Sequence, residues 1–163
     1  MTLWTDTESA LVVALDQSAC EVFQMMAGVE LTSISRPVSM PPADEVRAKQ
    51  RGVTVLMGIT GDLNGSVIIT MSKSAACEWT GRMVGSEVLA LDQTVIDAVG
   101  ELGNIVVGGA KRRLSDFHLT MSLPSVLQDG IDRLRFSSKS VPLQRDYQFD
   151  EHQLSIVIAL MPS

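Results

Sequence analysis

The sequence of 163 residues is long enough for one domain with its own core, and 45% hydrophobic and 20% charged residues exclude a disordered chain. A net charge of −6 argues against a surface for nucleic acid or an anionic membrane. We therefore expect a single domain over residues 1–163.

The cysteines and histidines show no metal-binding or disulfide pattern. Cys20 and Cys77 are far apart and outside any C-x-x-C pair, which is typical of reduced thiols in a cytoplasmic protein. His118 and His152 have no Cys or paired carboxylate at ligand spacing, so we expect no metal on this chain. The N-terminus lacks the pattern of a signal peptide, and no stretch is expected to span a bilayer.

The first part of the chain predicts a long helix followed by a strand. Thr5 and Glu8 have the spacing of a capping box, apolar residues then recur at helical spacing, and Gly28 is a stop signal. Residues 31–36 have the pattern of a strand. The Pro-rich and charged segment 37–51 predicts a loop.

The middle of the chain predicts a hairpin and a short helix. Residues 53–58 and 66–71 alternate like strands around the turn residues Gly61 to Gly65. Ser72 or Ser74 can cap the helix that follows, and Gly85 can end it.

The C-terminal half predicts one more helix and further strands. A third helix is predicted over 92–114, and strand-like runs cover 118–126, 134–138, 146–149 and 154–160. This order indicates an α+β fold: a mainly antiparallel β-sheet with two long helices and one shorter helix packed on one face.

The third helix has an apolar face and a polar stripe on opposite sides. The apolar face comprises Val95, Val99, Leu102, Val106 and Ala110, flanked by Ile96, Val107 and Leu114. The stripe comprises Asp97, Glu101, Asn104 and Gly108. On pattern alone a solvated face is the commoner explanation of such a stripe.

Four glycines in this helix argue for more than a solvated face. Each of Gly100, Gly103, Gly108 and Gly109 costs about 1 kcal/mol relative to Ala inside a helix. We expect Gly103, toward the core, to bring the helix close to the sheet or to the first helix. Gly108, on the stripe, would let a partner approach Glu101 and Asn104.

The motif resembles the signature of the CheX/CheC/FliY chemotaxis phosphatases. That signature is Asp or Ser, three residues, Glu, two residues, Asn, and a downstream Pro, matched here by Asp97, Glu101, Asn104 and Pro124. Pro124 is slightly nearer to Asn104 than the family spacing. The order of elements along nearly the whole chain is similar, although only the motif helix is specific.

CheC-like members carry a second copy of the motif on the first helix. Here the equivalent residues are Gln17, Glu21 and Gln24, which lack the Asp or Ser and the Asn. We interpret that segment as structural, so the chain is most similar to the single-site CheX type.

The resemblance implies a protein-aspartate phosphatase that acts on a phosphorylated CheY-type response regulator. Asn104 would orient the attacking water, and Glu101 would pair with a lysine of the receiver domain. Asp97 would support docking. No cofactor is expected on this chain, since Mg²⁺ would belong to the receiver.

The remaining implications concern partners. Lys111 and Arg112 would contact an acidic receiver face, unless they only complement the helix C-terminus. The resemblance also implies a cytoplasmic homodimer formed through the sheet. A catalytically silent receiver-binding or switch-associated module, or a purely structural dimerisation module, is the alternative.

Overall fold

Three helices pack on one face of a seven-stranded sheet in the computed structural model, which describes residues 2–34, 52–128, 136, 139–140 and 142–163. The elements follow the chain as α1 (Thr2–Ala27), β1 (Thr32–Ile34), β2 (Gly52–Gly61), β3 (Leu63–Ser72), α2 (Lys73–Val84), α3 (Gln93–Arg113), β4 (Leu119–Met121), β5 (Ser125–Gln128), β6 (Leu143–Phe149) and β7 (His152–Pro162).

The sheet has the order β1-β6-β7-β3-β2-β4, with β5 also paired to β2, and every pairing is antiparallel. The predicted hairpin is β2 and β3, in which Val55 faces Ile69 across the ladder. The predicted α+β class, with two long helices and one shorter helix, is confirmed. The predicted loop over 37–51 lies outside the described residues.

The predicted strand over 118–126 is wrong as a single strand. It divides into β4 and β5, which pair with different parts of β2 and are separated by residues 122–124. At the break the Gly58 N–H donates to Ser122 Oγ at 2.8 Å, and the Ser122 N–H donates to the Gly58 carbonyl at 2.9 Å. Pro124 follows and has no N–H with which to continue the ladder.

The predicted strand over 134–138 lies outside the described residues except for Phe136, which belongs to no strand.

The helix ends follow the predicted signals, with one exception. α1 begins at Thr2, so the predicted cap at Thr5 is wrong; neither Gly nor Pro interrupts the preceding residues. α1 ends before Gly28, whose φ is 65° and whose N–H donates to Gln24 O. Ser72 caps α2 by accepting from Ala75 N at 3.1 Å, and Gly85 ends it at φ 76°.

The expectation that no stretch is long enough for a bilayer span is wrong. Thr5–Ala27 of α1 meets the length and composition of such a span within the described residues. Core helices of soluble proteins can have the same length and composition, so α1 is only weak evidence for a membrane span. Here Leu15 and Phe23 are buried, and the Phe23 ring lies 4.6 Å from Trp79 and 5.1 Å from Phe149.

A polar cluster also ties α1 to β6. Arg145 donates to both carboxylate oxygens of Asp16, at 3.2 and 2.8 Å, and the Tyr147 hydroxyl donates to the same carboxylate. Burial, followed by the contact with Asp16, raises the pKa of Tyr147 above its usual value of 10.0. The cluster fixes α1 over the β6 side of the sheet.

Candidate functional site

α3 is held in place by its cap and by its apolar face. Asp92 caps the helix by accepting from Val95 N at 3.2 Å, so the predicted range of 92–114 is confirmed. The predicted core face is buried, with Ile96 half-buried at its margin. The opposite side of the helix therefore faces away from the core.

Two of the four glycines are explained by close packing. A Cβ at Gly103 would lie 2.7 Å from Val55 Cγ1 of β2, and a Cβ at Gly109 would overlap the hydroxyl of Ser18 in α1. That hydroxyl is buried and donates to the Val106 carbonyl at 2.6 Å. Small residues thus seat α3 against both the sheet and α1, which fixes the direction of its polar stripe.

Packing does not explain Gly108. The nearest atoms to a Cβ there are Arg112 Nη1 and the Cε and Sδ of Met121, all at 3.8 Å, which is ordinary van der Waals contact. An alanine would fit without displacing a neighbour. Packing against the described residues therefore does not require a glycine at position 108.

The polar stripe has the exposure that its pattern predicts. Asp97 and Glu101 are exposed, and Asn104 and Gly108 are half-buried. Asp97 accepts from Gln93 Nε2 at 2.8 Å. The Glu101 carboxylate and the Asn104 carboxamide make no hydrogen bond or ion pair with any described residue. Residues three apart on a helix have Cβ atoms about 5–6 Å apart, so both side chains can reach one ligand.

A concavity of about 570 Å³ lies beside the stripe at the C-terminal end of α3. The structure brings Asn104, Gly108, Lys111 and Arg112 together in its lining, whereas Asp97 and Glu101 lie outside it. Four further lining residues were not predicted as site residues: Ile105, Ser115, Phe117 and Met121. No local signal marked them, because their apolar members fit a core pattern equally well.

The sheet edge flanks the other end of the stripe. A Cβ at Gly100 would lie 3.3 Å from Val126 Cγ2 and 3.8 Å from Pro124 Cγ. The segment between β4 and β5 thus runs beside α3 next to Glu101. The sequence placed this segment inside a strand and did not predict the contact.

The residues of α1 that correspond to the motif on α3 differ in the ion pairs that they form. Gln17, Glu21 and Gln24 are all exposed, but the Glu21 carboxylate forms an ion pair with Arg113 of α3. Glu101 has no such partner among the described residues. The structure therefore supports the interpretation of the α1 stripe as structural.

The chemistry available on α3 is that of positioning. A carboxylate only accepts hydrogen bonds, whereas a carboxamide both donates and accepts. Burial raises the pKa of both the Cys20 and the Cys77 thiols, which favours the neutral thiol over the nucleophilic thiolate. The Glu101 carboxylate can therefore accept hydrogen bonds from a ligand, and the Asn104 carboxamide can both donate to it and accept from it.

The comparisons with known proteins identify the family. The sequence profile described as "Chemotaxis phosphatase CheX" matches residues 53–143, which include the whole of α3. The chain therefore belongs to the CheX family. It is 29% identical over 123 residues to the CheY-P phosphatase CheX of Thermotoga maritima, covering 74% of this chain and 76% of that relative.

Solved structures agree with this assignment. The chemotaxis protein CheX from Vibrio vulnificus is 28% identical with a TM-score of 0.77, over 93% of this chain and 96% of that one. The CheX-CheY-BeF3-Mg²⁺ complex from Borrelia burgdorferi has a similar fold, with 21% identity and a TM-score of 0.76 over 91% and 96% of the chains.

Proposed function

We propose that this protein is a protein-aspartate phosphatase that dephosphorylates a phosphorylated CheY-type response regulator through Glu101 and Asn104. One observation carries the proposal: the exposed Glu101 and the half-buried Asn104 lie on one stripe of a tightly seated helix, and their side chains make no hydrogen bond or ion pair with a described residue. Membership of the CheX family, and the named activity of the Thermotoga maritima relative, support it.

The substrate needs little from the phosphatase. An aspartyl phosphate is an activated acyl phosphate, so its hydrolysis requires a water in line with the breaking P–O bond and stabilised charge. The Asn104 carboxamide would accept from that water and hold it in line, since its oxygen and its amide group act at the same time. The phosphoryl group passes to the water, and the receiver aspartate leaves as a carboxylate.

Glu101 has a separate task in this proposal. Its carboxylate would pair with a lysine of the receiver, which fixes the register of α3 over the phosphorylated aspartate. Mg²⁺ would belong to the receiver, and no cofactor is proposed for this chain.

The concavity extends the proposed docking surface. Lys111 and Arg112 would meet acidic groups of the receiver, while Gly108 leaves space for its backbone. Both cations also lie in the last turn of α3, where they complement the helix dipole. Asp97, already bonded to Gln93, would support docking from the other end of the stripe.

A catalytically silent receiver-binding module is the second candidate. The observation that favours it is the engagement of Glu21 by Arg113, because all activity then depends on the single pair on α3. Such a module would bind the receiver without accelerating loss of phosphate.

Phosphate release from a phosphorylated CheY-type receiver distinguishes the two candidates. We expect acceleration by the wild-type chain, a fall in kcat of about a hundredfold in Asn104→Ala, and a rise in KM of about tenfold in Glu101→Ala. Glu21→Ala and Gln24→Ala are matched controls on α1 and should keep full activity. Binding without acceleration would favour the silent module.

Homodimerisation through the sheet, a cytoplasmic location and a single domain over residues 1–163 remain predictions. The sheet edges among the described strands are β1 on one side and β4 with β5 on the other. Either edge offers unpaired backbone groups to a second copy.

A further inference from the structure

Leu123 is the most exposed large hydrophobic residue in the described part of the chain, at 85%. It lies in the three-residue break between β4 and β5. A single exposed leucine is ordinary on a protein surface, so exposure alone assigns no role. The position of Leu123 beside α3 and the contacts that hold its backbone point to a role.

The position follows from two contacts of α3. A Cβ built on Gly108 would lie 3.8 Å from the Met121 side chain, and a Cβ built on Gly100 would lie 3.8 Å from Pro124 Cγ. The break therefore runs antiparallel to α3 along the part of the helix that contains Glu101 and Asn104. Eight helical residues rise about 12 Å, and three extended residues span about 10 Å, so the two segments match in length. Leu123 therefore belongs to a segment that runs along the same stretch of α3 as the polar stripe.

The backbone at Leu123 is held from both sides. Ser122 Oγ accepts from the Gly58 N–H at 2.8 Å and donates to the Leu123 carbonyl at 3.0 Å. On the other side Pro124 fixes its own φ and restricts the backbone of Leu123. Because this backbone is already ordered, covering Leu123 with a partner would cost little backbone conformational entropy.

The need to protect a sheet edge explains the break but not the leucine. An interruption with a proline blunts an edge strand and prevents pairing with other chains. A polar residue at position 123 would serve that purpose better than a leucine exposed to solvent. Protection of the edge therefore does not account for the leucine.

We propose that Leu123 is a hydrophobic docking contact for the phosphorylated receiver, covered by an apolar side chain next to the receiver's phosphorylated aspartate. This inference rests on the proposed function, since it takes the receiver to be the occupant of the polar stripe. Glu101 and Asn104 then supply the polar centre of the interface, and Leu123 supplies apolar area at its edge.

Affinity for a beryllofluoride-activated CheY-type receiver, with Mg²⁺ present, tests this contact without requiring turnover. We expect Leu123→Ala to raise Kd about tenfold, and Leu123→Asp to raise it further because a carboxylate would be placed against an apolar surface. Met25→Ala is the matched control: Met25 is 75% exposed on α1, and its truncation should leave Kd unchanged. Far-UV circular dichroism establishes that each variant is folded.

Turnover of the phosphorylated receiver gives a second readout. Leu123→Ala should raise KM and leave kcat within about twofold, whereas Asn104→Ala acts on kcat. An unchanged Kd and KM in folded Leu123→Ala overturns the inference even if the chain is an active phosphatase. A weakened Kd in a chain that binds but does not hydrolyse upholds the inference and overturns the phosphatase proposal. Absence of binding by the wild-type chain across CheY-type receivers overturns both.

Discussion

The contact between Gly109 and Ser18 gives a quantitative test of how α3 is seated. The Ser18 hydroxyl is buried and bonded to the Val106 carbonyl, and a methyl group at position 109 would occupy its place. Gly109→Ala should lose that hydrogen bond, about 1 kcal/mol, and add overpacking of about 1–3 kcal/mol. The higher helix propensity of alanine offsets about 1 kcal/mol of this loss. The net loss in the free energy of unfolding is therefore about 1–3 kcal/mol.

A second variant removes the cause of that loss. In a Ser18→Ala background the hydroxyl is absent, and the nearest atoms to a Cβ at position 109 are the Cβ of residue 18 at 3.2 Å and Nη1 of the flexible Arg113 side chain at 3.4 Å. Gly109→Ala should then change the free energy of unfolding by less than about 1 kcal/mol. The double-mutant cycle should give a coupling energy of about 1–3 kcal/mol.

Urea unfolding at 25 °C, followed by circular dichroism, measures all four proteins. Gly108→Ala is the matched control for stability, since its neighbours at 3.8 Å leave room for the methyl group and the helix gains up to about 1 kcal/mol. Effects of Gly109→Ala and Ser18→Ala that add within about 0.5 kcal/mol would refute the reasoning.

Two further predictions concern parts of the fold away from the site. Because the pKa of Tyr147 is raised in the folded state, its contribution to stability is full below pH 10 and is lost as the pH rises further. Tyr147→Phe should lower the free energy of unfolding by about 1 kcal/mol at pH 8. Above pH 10 the free energy of unfolding of this variant should fall less steeply with pH than that of the wild type. Equal slopes for the two proteins in urea unfolding would contradict this prediction. Ser72→Ala should cost about 1 kcal/mol by removing the cap of α2 while phosphatase activity is kept. Ser74→Ala is its control, and an equal loss in both would contradict the cap assignment.

The sequence predicted α3 best because several local signals agree there. A regular apolar face and basic residues near its end indicate the same helix, and the structure adds a cap at Asp92. Gly103 was predicted to bring the helix close to the sheet or to the first helix, and the structure shows it against β2. The role of Gly109 could not be read from the sequence, because its neighbour Ser18 is 91 residues away along the chain.

The break between β4 and β5 could not be predicted for a similar reason. Alternation over 118–126 has the period of a strand, and nothing local shows that β2 pairs with it in two separate stretches. The contact that interrupts the ladder joins Ser122 to Gly58, 64 residues apart. Leu123 therefore looked like a strand residue, and its exposure beside the polar stripe emerged only from the fold.

The two glutamates show why pattern alone does not define a site. Glu21 and Glu101 each lie on an exposed stripe with an amide side chain three residues further on. Arg113 pairs with the first, so that its carboxylate joins α1 to α3. The second has no partner in the described part of the chain, because the last basic residues of α3 lie more than two turns away. A carboxylate held open on a fixed helix is free to bind a cation of another protein, and this difference locates the proposed receiver contact on α3 rather than on α1.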